Sequence, residues 1–66
     1  MLIHLNGDEH QAPEGATLSG LLEAMRLQPG RVAIEVNGRV VARADFERVQ
    51  IREGDVLEVV QFVGGG

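Results

Sequence analysis

Two Asn-Gly dipeptides, each preceded by alternating apolar residues, constrain the fold of this 66-residue chain more than any other feature. Both residue types tolerate the positive φ that a type I′ turn requires, so each dipeptide predicts a β-hairpin. Asn6-Gly7 follows the alternating stretch 1–6, and we expect its return strand over about 8–12. Asn37-Gly38 follows the alternating stretch 32–36 and predicts a second hairpin with a short return strand.

One amphipathic segment separates the two hairpins. Thr17 is a suitable N-cap, because its hydroxyl can accept a hydrogen bond from an early amide of a helix. The helix is predicted over about 18–27, and Gln28-Pro29-Gly30 should end it. Gly20 lies inside this helix and predicts a close approach by a neighbour such as the sheet. The apolar residues that recur at helical spacing are Leu18, Leu21, Leu22 and Met25.

The longest β-type run, residues 56–63, follows a turn cluster at 52–55. The connection before that turn, residues 43–48, has one large apolar side chain, Phe46, which we expect to plug the core. The natural partner of the last strand is the first one. The sequence therefore predicts an α+β fold, in which one main helix packs on one face of a mixed sheet of four to five strands. The first and last strands would be parallel at its centre, joined by a right-handed crossover.

Successive side chains of the last strand point to opposite faces of the sheet. If Leu57 faces the helix, Val60 and Phe62 point to the open face of the sheet. There they would lie beside Leu2 and His4 of the first strand, as an exposed apolar patch of the kind that marks protein–protein sites. The opposite register would bury Phe62, and periodicity alone does not decide between the two.

The chain ends in three glycines, Gly64, Gly65 and Gly66. Glycine adopts backbone angles that other residues refuse and needs no space for a side chain. At full extension three residues reach about 10 Å, so such a tail can carry the Gly66 carboxylate into a channel too narrow for a Cβ atom. The alternative is a frayed terminus without function. We expect a folded domain over 1–63 and a flexible C-terminal tail over 64–66.

Composition narrows the classes of function. Sixty-six residues make one domain with room for a small core only. Ten acidic residues against six basic ones give a net charge of −4, which argues against nucleic acid and anionic membranes as partners. The chain has no cysteine, no signal peptide and no apolar run long enough to span a bilayer, so we expect a cytoplasmic protein.

Metal and hydrolytic chemistry are difficult to build from these residues. His4 and His10 are the only imidazoles and fall on different predicted strands, with no cysteine to complete a zinc site. Ser19 has no obvious base, and the terminal glycines lack the helix and the lysine of a phosphate loop. Three acidic residues are expected on the surface, where basic side chains of a partner could meet them: Glu53, Asp55 and Glu58.

This chain resembles the sulfur carrier proteins of thiamine biosynthesis, the ThiS family. The resemblance lies in the order hairpin, helix, hairpin and last strand, in the Gly54-Asp55 turn, and in the ending Phe62-Val63-Gly64-Gly65-Gly66. It covers the whole chain and implies a ubiquitin-like β-grasp fold. Other β-grasp carriers share the terminal Gly65-Gly66, so the longer small subunit of molybdopterin synthase stays an alternative.

The resemblance implies a carrier that is not itself an enzyme and has no bound cofactor. A ubiquitin-activating-like adenylyltransferase would adenylate the Gly66 carboxylate with ATP and magnesium. A sulfur donor such as a cysteine desulfurase would then convert it to a thiocarboxylate, from which thiazole synthase takes the sulfur. The partners would bind the residues that lead to this carboxylate: Val60, Phe62, Val63, Gly64 and Gly65.

Two other classes of function stay open. A ubiquitin-like modifier would be joined through Gly66 to lysines of other proteins. A non-covalent interaction module would bind through its folded domain and would keep its function without Gly65 and Gly66.

Overall fold

One mixed sheet organises residues 1–62, the part of the chain that this computed structural model describes. Its five strands are β1 Leu2–Leu5, β2 Asp8–Gln11, β3 Val32–Val36, β4 Arg39–Val41 and β5 Val56–Gln61. The spatial order is β2-β1-β5-β3-β4, with β1 and β5 parallel and the other neighbouring pairs antiparallel. The predicted α+β class, with the first and last strands parallel at the centre, is confirmed.

Both Asn-Gly dipeptides form the predicted tight turns. Asn6 and Gly7 have φ angles of 51° and 86°, and Asn37 and Gly38 have φ angles of 52° and 84°. Two successive left-handed residues suit a type I′ turn, whose twist matches that of the flanking strands. The first turn joins β1 to β2 and the second joins β3 to β4, so both hairpin predictions are confirmed.

The helix α1 spans Leu18–Ala24, and Thr17 is its N-cap as predicted. The Gly20 amide donates a hydrogen bond to the Thr17 hydroxyl at 3.1 Å. This bond satisfies one of the amides that have no partner inside the helix.

The helix ends earlier than the predicted residue 27, because Arg26 takes a left-handed φ of 60°. The amides of Arg26 and Leu27 donate to the carbonyl oxygens of Glu23 and Leu22, at 3.0 and 2.9 Å. This pair of bonds is a Schellman motif, which satisfies the last carbonyl groups of a helix. Pro29–Arg31 forms a separate 3-10 turn, so the predicted proline stop lies beyond the end of α1.

The helix and the inward side chains of the sheet enclose one apolar core. Phe46 is 2% exposed, which confirms its predicted role as a plug in the connection before β5. The largest side chains that are completely buried come from β1, α1, β3 and β5: Ile3, Leu18, Leu22, Ile34 and Leu57.

Side chains as well as backbone groups hold β5 in the middle of the sheet. The last residue of β1 that pairs with β5 is Leu5. The side chain of the next residue, Asn6, makes further hydrogen bonds to β5. The Val59 amide donates to Asn6 Oδ1 at 2.8 Å, and Asn6 Nδ2 donates to the Val59 carbonyl oxygen at 3.2 Å. On the other side of β5, the Val56 amide donates to Asn37 Oδ1 at 2.9 Å. The two turn asparagines thereby extend the hydrogen bonding of β5 on both sides.

Gly20 is not a point where the sheet approaches α1, so that prediction is wrong. The residue is exposed, and a Cβ atom built on it would meet only the Thr17 hydroxyl, at 3.5 Å. That distance is an ordinary van der Waals contact. Within the described part of the chain, no neighbour requires a glycine at this position.

Replacing Gly20 with alanine should therefore stabilise the protein. Glycine loses more conformational freedom than alanine on folding, so Gly20→Ala should raise the free energy of unfolding by about 0.5–1 kcal/mol in urea denaturation. Gly38→Ala is the matched control, because Gly38 has a φ of 84° and alanine there should lower the free energy of unfolding. An unchanged or lower stability of Gly20→Ala would contradict the geometry of α1.

Candidate functional site

The side chains of β5 have two different surroundings. Leu57 and Val59 point into the core and are 0% and 8% exposed. Val60 and Phe62 are 55% and 53% exposed. Of the two registers that the alternation allows, the structure has the one that leaves Phe62 exposed, on the face of the sheet away from α1.

Val60 lies beside β3, and not beside Leu2 and His4 as the sequence predicted. The residue opposite Val60 is Ala33 on β3. The residue of β5 that pairs with His4 is Val56. After β1 the chain turns away from β5, so Val60 lies beyond the end of this parallel pair. The predicted face is correct, but the predicted neighbours are wrong because the parallel pair is short.

Four exposed apolar side chains form what we call the open-face patch. Phe62, the residue after β5, marks one end of the patch, and its amide donates to the carbonyl oxygen of Arg31 at 2.8 Å. Two carboxylates also lie on this face, because Glu35 on β3 is directly opposite Glu58 on β5. The patch is therefore apolar with negative charge at its centre. Its four apolar members are Val40 on β4 and Val56, Val60 and Phe62 from β5 onwards.

Two of the three acidic residues predicted to meet a partner also accept hydrogen bonds within the chain. Asp55 Oδ2 accepts a hydrogen bond from the Arg52 amide at 2.8 Å, and Asp55 Oδ1 accepts one from Asn37 Nδ2 at 3.0 Å. Glu53 Oε1 accepts a hydrogen bond from the Leu2 amide at 3.3 Å. These carboxylates hold the turn before β5. The third acidic residue, Glu58, lies on the open face.

The remaining predicted site residues lie outside the described part of the chain: Val63, Gly64, Gly65 and Gly66. The boundaries predicted for the folded domain and the tail, at 63 and 64, also fall there. Phe62 is the last residue whose surroundings the structure gives.

The two histidines are on separate strands, as predicted. His4 on β1 is opposite Glu9, and His10 on β2 is opposite Ile3. Among residues 1–62, no three histidine, aspartate or glutamate side chains come together as a group that could hold a metal ion. The same residues include no helix long and apolar enough to cross a membrane.

A cavity of about 370 Å³ lies between β2 and α1, on the helix side of the sheet. Ala12, Leu21 and Ala24 are among its lining residues, and His10 is the one titratable residue among those that line it. No sequence pattern predicts this cavity, because small apolar side chains next to a helix are common in any core.

A solved structure and two curated proteins that are similar to this chain over its full length carry the name ThiS. The crystal structure of the thiamine biosynthesis protein (ThiS) from Geobacter metallireducens superposes with a TM-score of 0.84 at 32% identity, and the match covers 100% of both chains. Sulfur carrier protein ThiS of Bacillus subtilis is 32% identical over 66 residues, and that of Thermus thermophilus is 35% identical over 65 residues. Each match covers 98% of this chain and 100% of the relative.

Larger proteins contain a similar segment. Thiazole synthase of Magnetococcus marinus is 48% identical over 66 residues, and this chain spans 20% of that protein's length. Thiazole synthase of Paramagnetospirillum magneticum is 33% identical, and the chain again spans 20% of its length.

The model of the ThiS family matches residues 2–66, which is nearly the whole chain. The predicted ubiquitin-like β-grasp fold is confirmed by the superposition on the Geobacter metallireducens protein. On the family match and on the full-length similarity to two proteins named as its sulfur carriers, the chain belongs to the ThiS family.

Proposed function

We propose that this chain carries sulfur on the carboxylate of Gly66 for thiazole formation in thiamine biosynthesis. The observation that supports this function most strongly is the similarity, over their full length, to two proteins named sulfur carrier protein ThiS. Gly66 is also among the residues that the family model matches.

The chemistry at Gly66 requires an activated carboxyl group. An unperturbed α-carboxyl group has a pKa of about 3.5, so at neutral pH it is an anion and a poor electrophile. A ubiquitin-activating-like adenylyltransferase with ATP and magnesium would join AMP to this carboxylate and release pyrophosphate. The persulfide of a sulfur donor such as a cysteine desulfurase would then displace AMP to give an acyl disulfide, and a thiol reductant would cleave its S–S bond to leave a thiocarboxylate.

The open-face patch and residues 63–65 would bind these partners together. Val60 and Phe62 are more than half exposed, and contiguous exposed apolar side chains mark interaction sites. Glycines at 64 and 65 would enter the active site of a partner as a thin segment without side chains. Since each partner has to reach the same carboxylate, they would use this surface one after another.

Thiazole synthase is the proposed acceptor of the sulfur. Two relatives with that name contain a segment similar to this chain within a longer polypeptide. A carrier segment joined to the acceptor enzyme is consistent with direct transfer of sulfur between them. The cytoplasmic location expected from the sequence stays a prediction.

Incubation with the adenylating enzyme, ATP, magnesium and a sulfur source should replace one oxygen of the Gly66 carboxylate with sulfur. Intact-mass spectrometry would detect the change, and fragmentation would locate it at Gly66. One extra residue after Gly66, or Gly65→Val, should abolish the change. Both variants should keep the urea midpoint of the parent, because the altered positions come after the last described strand.

Other outcomes of that experiment would contradict the proposal. No change in mass, with partners that are active on another carrier, would favour a non-covalent interaction module. Attachment of Gly66 to a lysine of another protein would favour a ubiquitin-like modifier.

Val60→Asp should weaken binding to the adenylating enzyme by roughly tenfold or more in calorimetric titration, because a carboxylate would be buried without a partner. Val60 is 55% exposed, so the free energy of unfolding should change little. The matched control is Ala24→Asp, which introduces the same charge on the exposed surface of α1 and should bind like the parent. Equal losses of affinity in the two variants, or no loss of affinity in Val60→Asp, would exclude the open-face patch from the interface with the adenylating enzyme.

A further inference from the structure

The two turn asparagines donate hydrogen bonds that aspartate could not donate. Asn6 Nδ2 donates to the carbonyl oxygen of Val59, and Asn37 Nδ2 donates to Asp55 Oδ1. Asp-Gly is as suitable as Asn-Gly for a type I′ turn. An ionised carboxylate, however, only accepts hydrogen bonds. Asparagine is therefore needed at these two turns because its side-chain amide donates to Val59 of β5 in one case and to Asp55, the residue before β5, in the other.

Asn-Gly is also a dipeptide whose side-chain amide is readily lost, because glycine has no Cβ atom to hinder the reaction. The backbone nitrogen of the glycine attacks Cγ of the asparagine, the bond between Cγ and Nδ2 breaks, and ammonia leaves. Water then opens the cyclic imide to aspartate or isoaspartate. No oxidant or reductant takes part in either step.

The folded protein protects the two amides unequally. The bonds between Asn6 and Val59 are partly buried, and Val59 itself is 8% exposed. The bonds from Asn37 to Asp55 and Val56 are exposed. Both asparagines begin a turn to an edge strand, β4 for Asn37 and β2 for Asn6, so the difference between them lies in their contacts with β5. Release of Asn37 breaks exposed bonds at Val56, the first residue of β5, whereas release of Asn6 breaks partly buried bonds to Val59 in the middle of that strand.

We propose that Asn37 is a modification site at which the folded protein loses ammonia, and that the product weakens the start of β5. The new carboxylate lies against the Asp55 carboxylate, where the parent has a hydrogen bond, and the two like charges repel. Asp55 also accepts a hydrogen bond from the Arg52 amide, so it can move away only by losing that bond. The proposal does not depend on what Gly66 carries, although β5 bears Val56 and Val60 of the open-face patch.

The two Asn-Gly sites of one molecule serve as controls for each other. The protein is held at mildly alkaline pH, folded or in urea, and peptide mapping by mass spectrometry follows the loss of each amide. We expect Asn37 to react several-fold faster than Asn6 in the folded protein, and the two rates to converge in urea. Equal rates in the folded protein, faster loss at Asn6, or no loss at Asn37 would overturn the proposal.

Asn37→Asp reproduces the aspartate product, and its urea midpoint should be lower than that of the parent. Adding Asp55→Asn exchanges donor and acceptor, because the new amide can donate to the new carboxylate. The double variant should therefore recover most of the lost midpoint. An unchanged midpoint in Asn37→Asp, or no recovery in the double variant, would overturn the weakening of β5.

Discussion

The structure depends on the pairing of one strand, β5, with a neighbour on each side. β1 runs parallel to it and β3 runs antiparallel, and each of these strands belongs to a separate hairpin. Within residues 1–62 the two hairpins share one sheet only through β5, so its hydrogen bonds close the fold. His4 pairs with Val56, which lies at the far end of the sequence. Such long-range pairing has to overcome the entropy of loop closure before the core is complete.

Side chains along β5 alternate between the core and the open face, so the residues that stabilise the fold differ from those proposed to bind partners. Leu57 and Val59 complete the core, and Val60 and Phe62 are exposed on the other face. A domain of this size buries only about 60% of the surface that its unfolded chain exposes, so each apolar side chain left outside is informative. The strand that the fold needs most is thus also the one that leads to the carboxylate at Gly66. The core and the proposed partner surface can vary independently because they occupy alternate positions.

Sequence reasoning succeeds here where the signal is local and fails where it depends on distant residues. The asparagine turns and the Thr17 cap are set by residues within a few positions, and both were predictable. The end of α1 was not, because Arg26 takes the left-handed conformation that glycine usually marks, and the nearby Pro29-Gly30 gave a stronger signal. At the candidate site, alternation limited Phe62 to two faces, and only the sheet register decides between them. The role of Asp55 was unpredictable because its partner Asn37 lies 18 residues away.

Native-state amide hydrogen exchange tests the central position of β5 most directly. We predict that the amides of β5 after Val56 exchange only through global unfolding, with opening free energies equal to the free energy of unfolding in urea. The amides of the edge strand β4 should exchange at lower free energies. If the β5 amides opened more readily than those of β1 and β3, the hairpins and the helix would hold together without this strand, and β5 would not be the strand on which the fold depends.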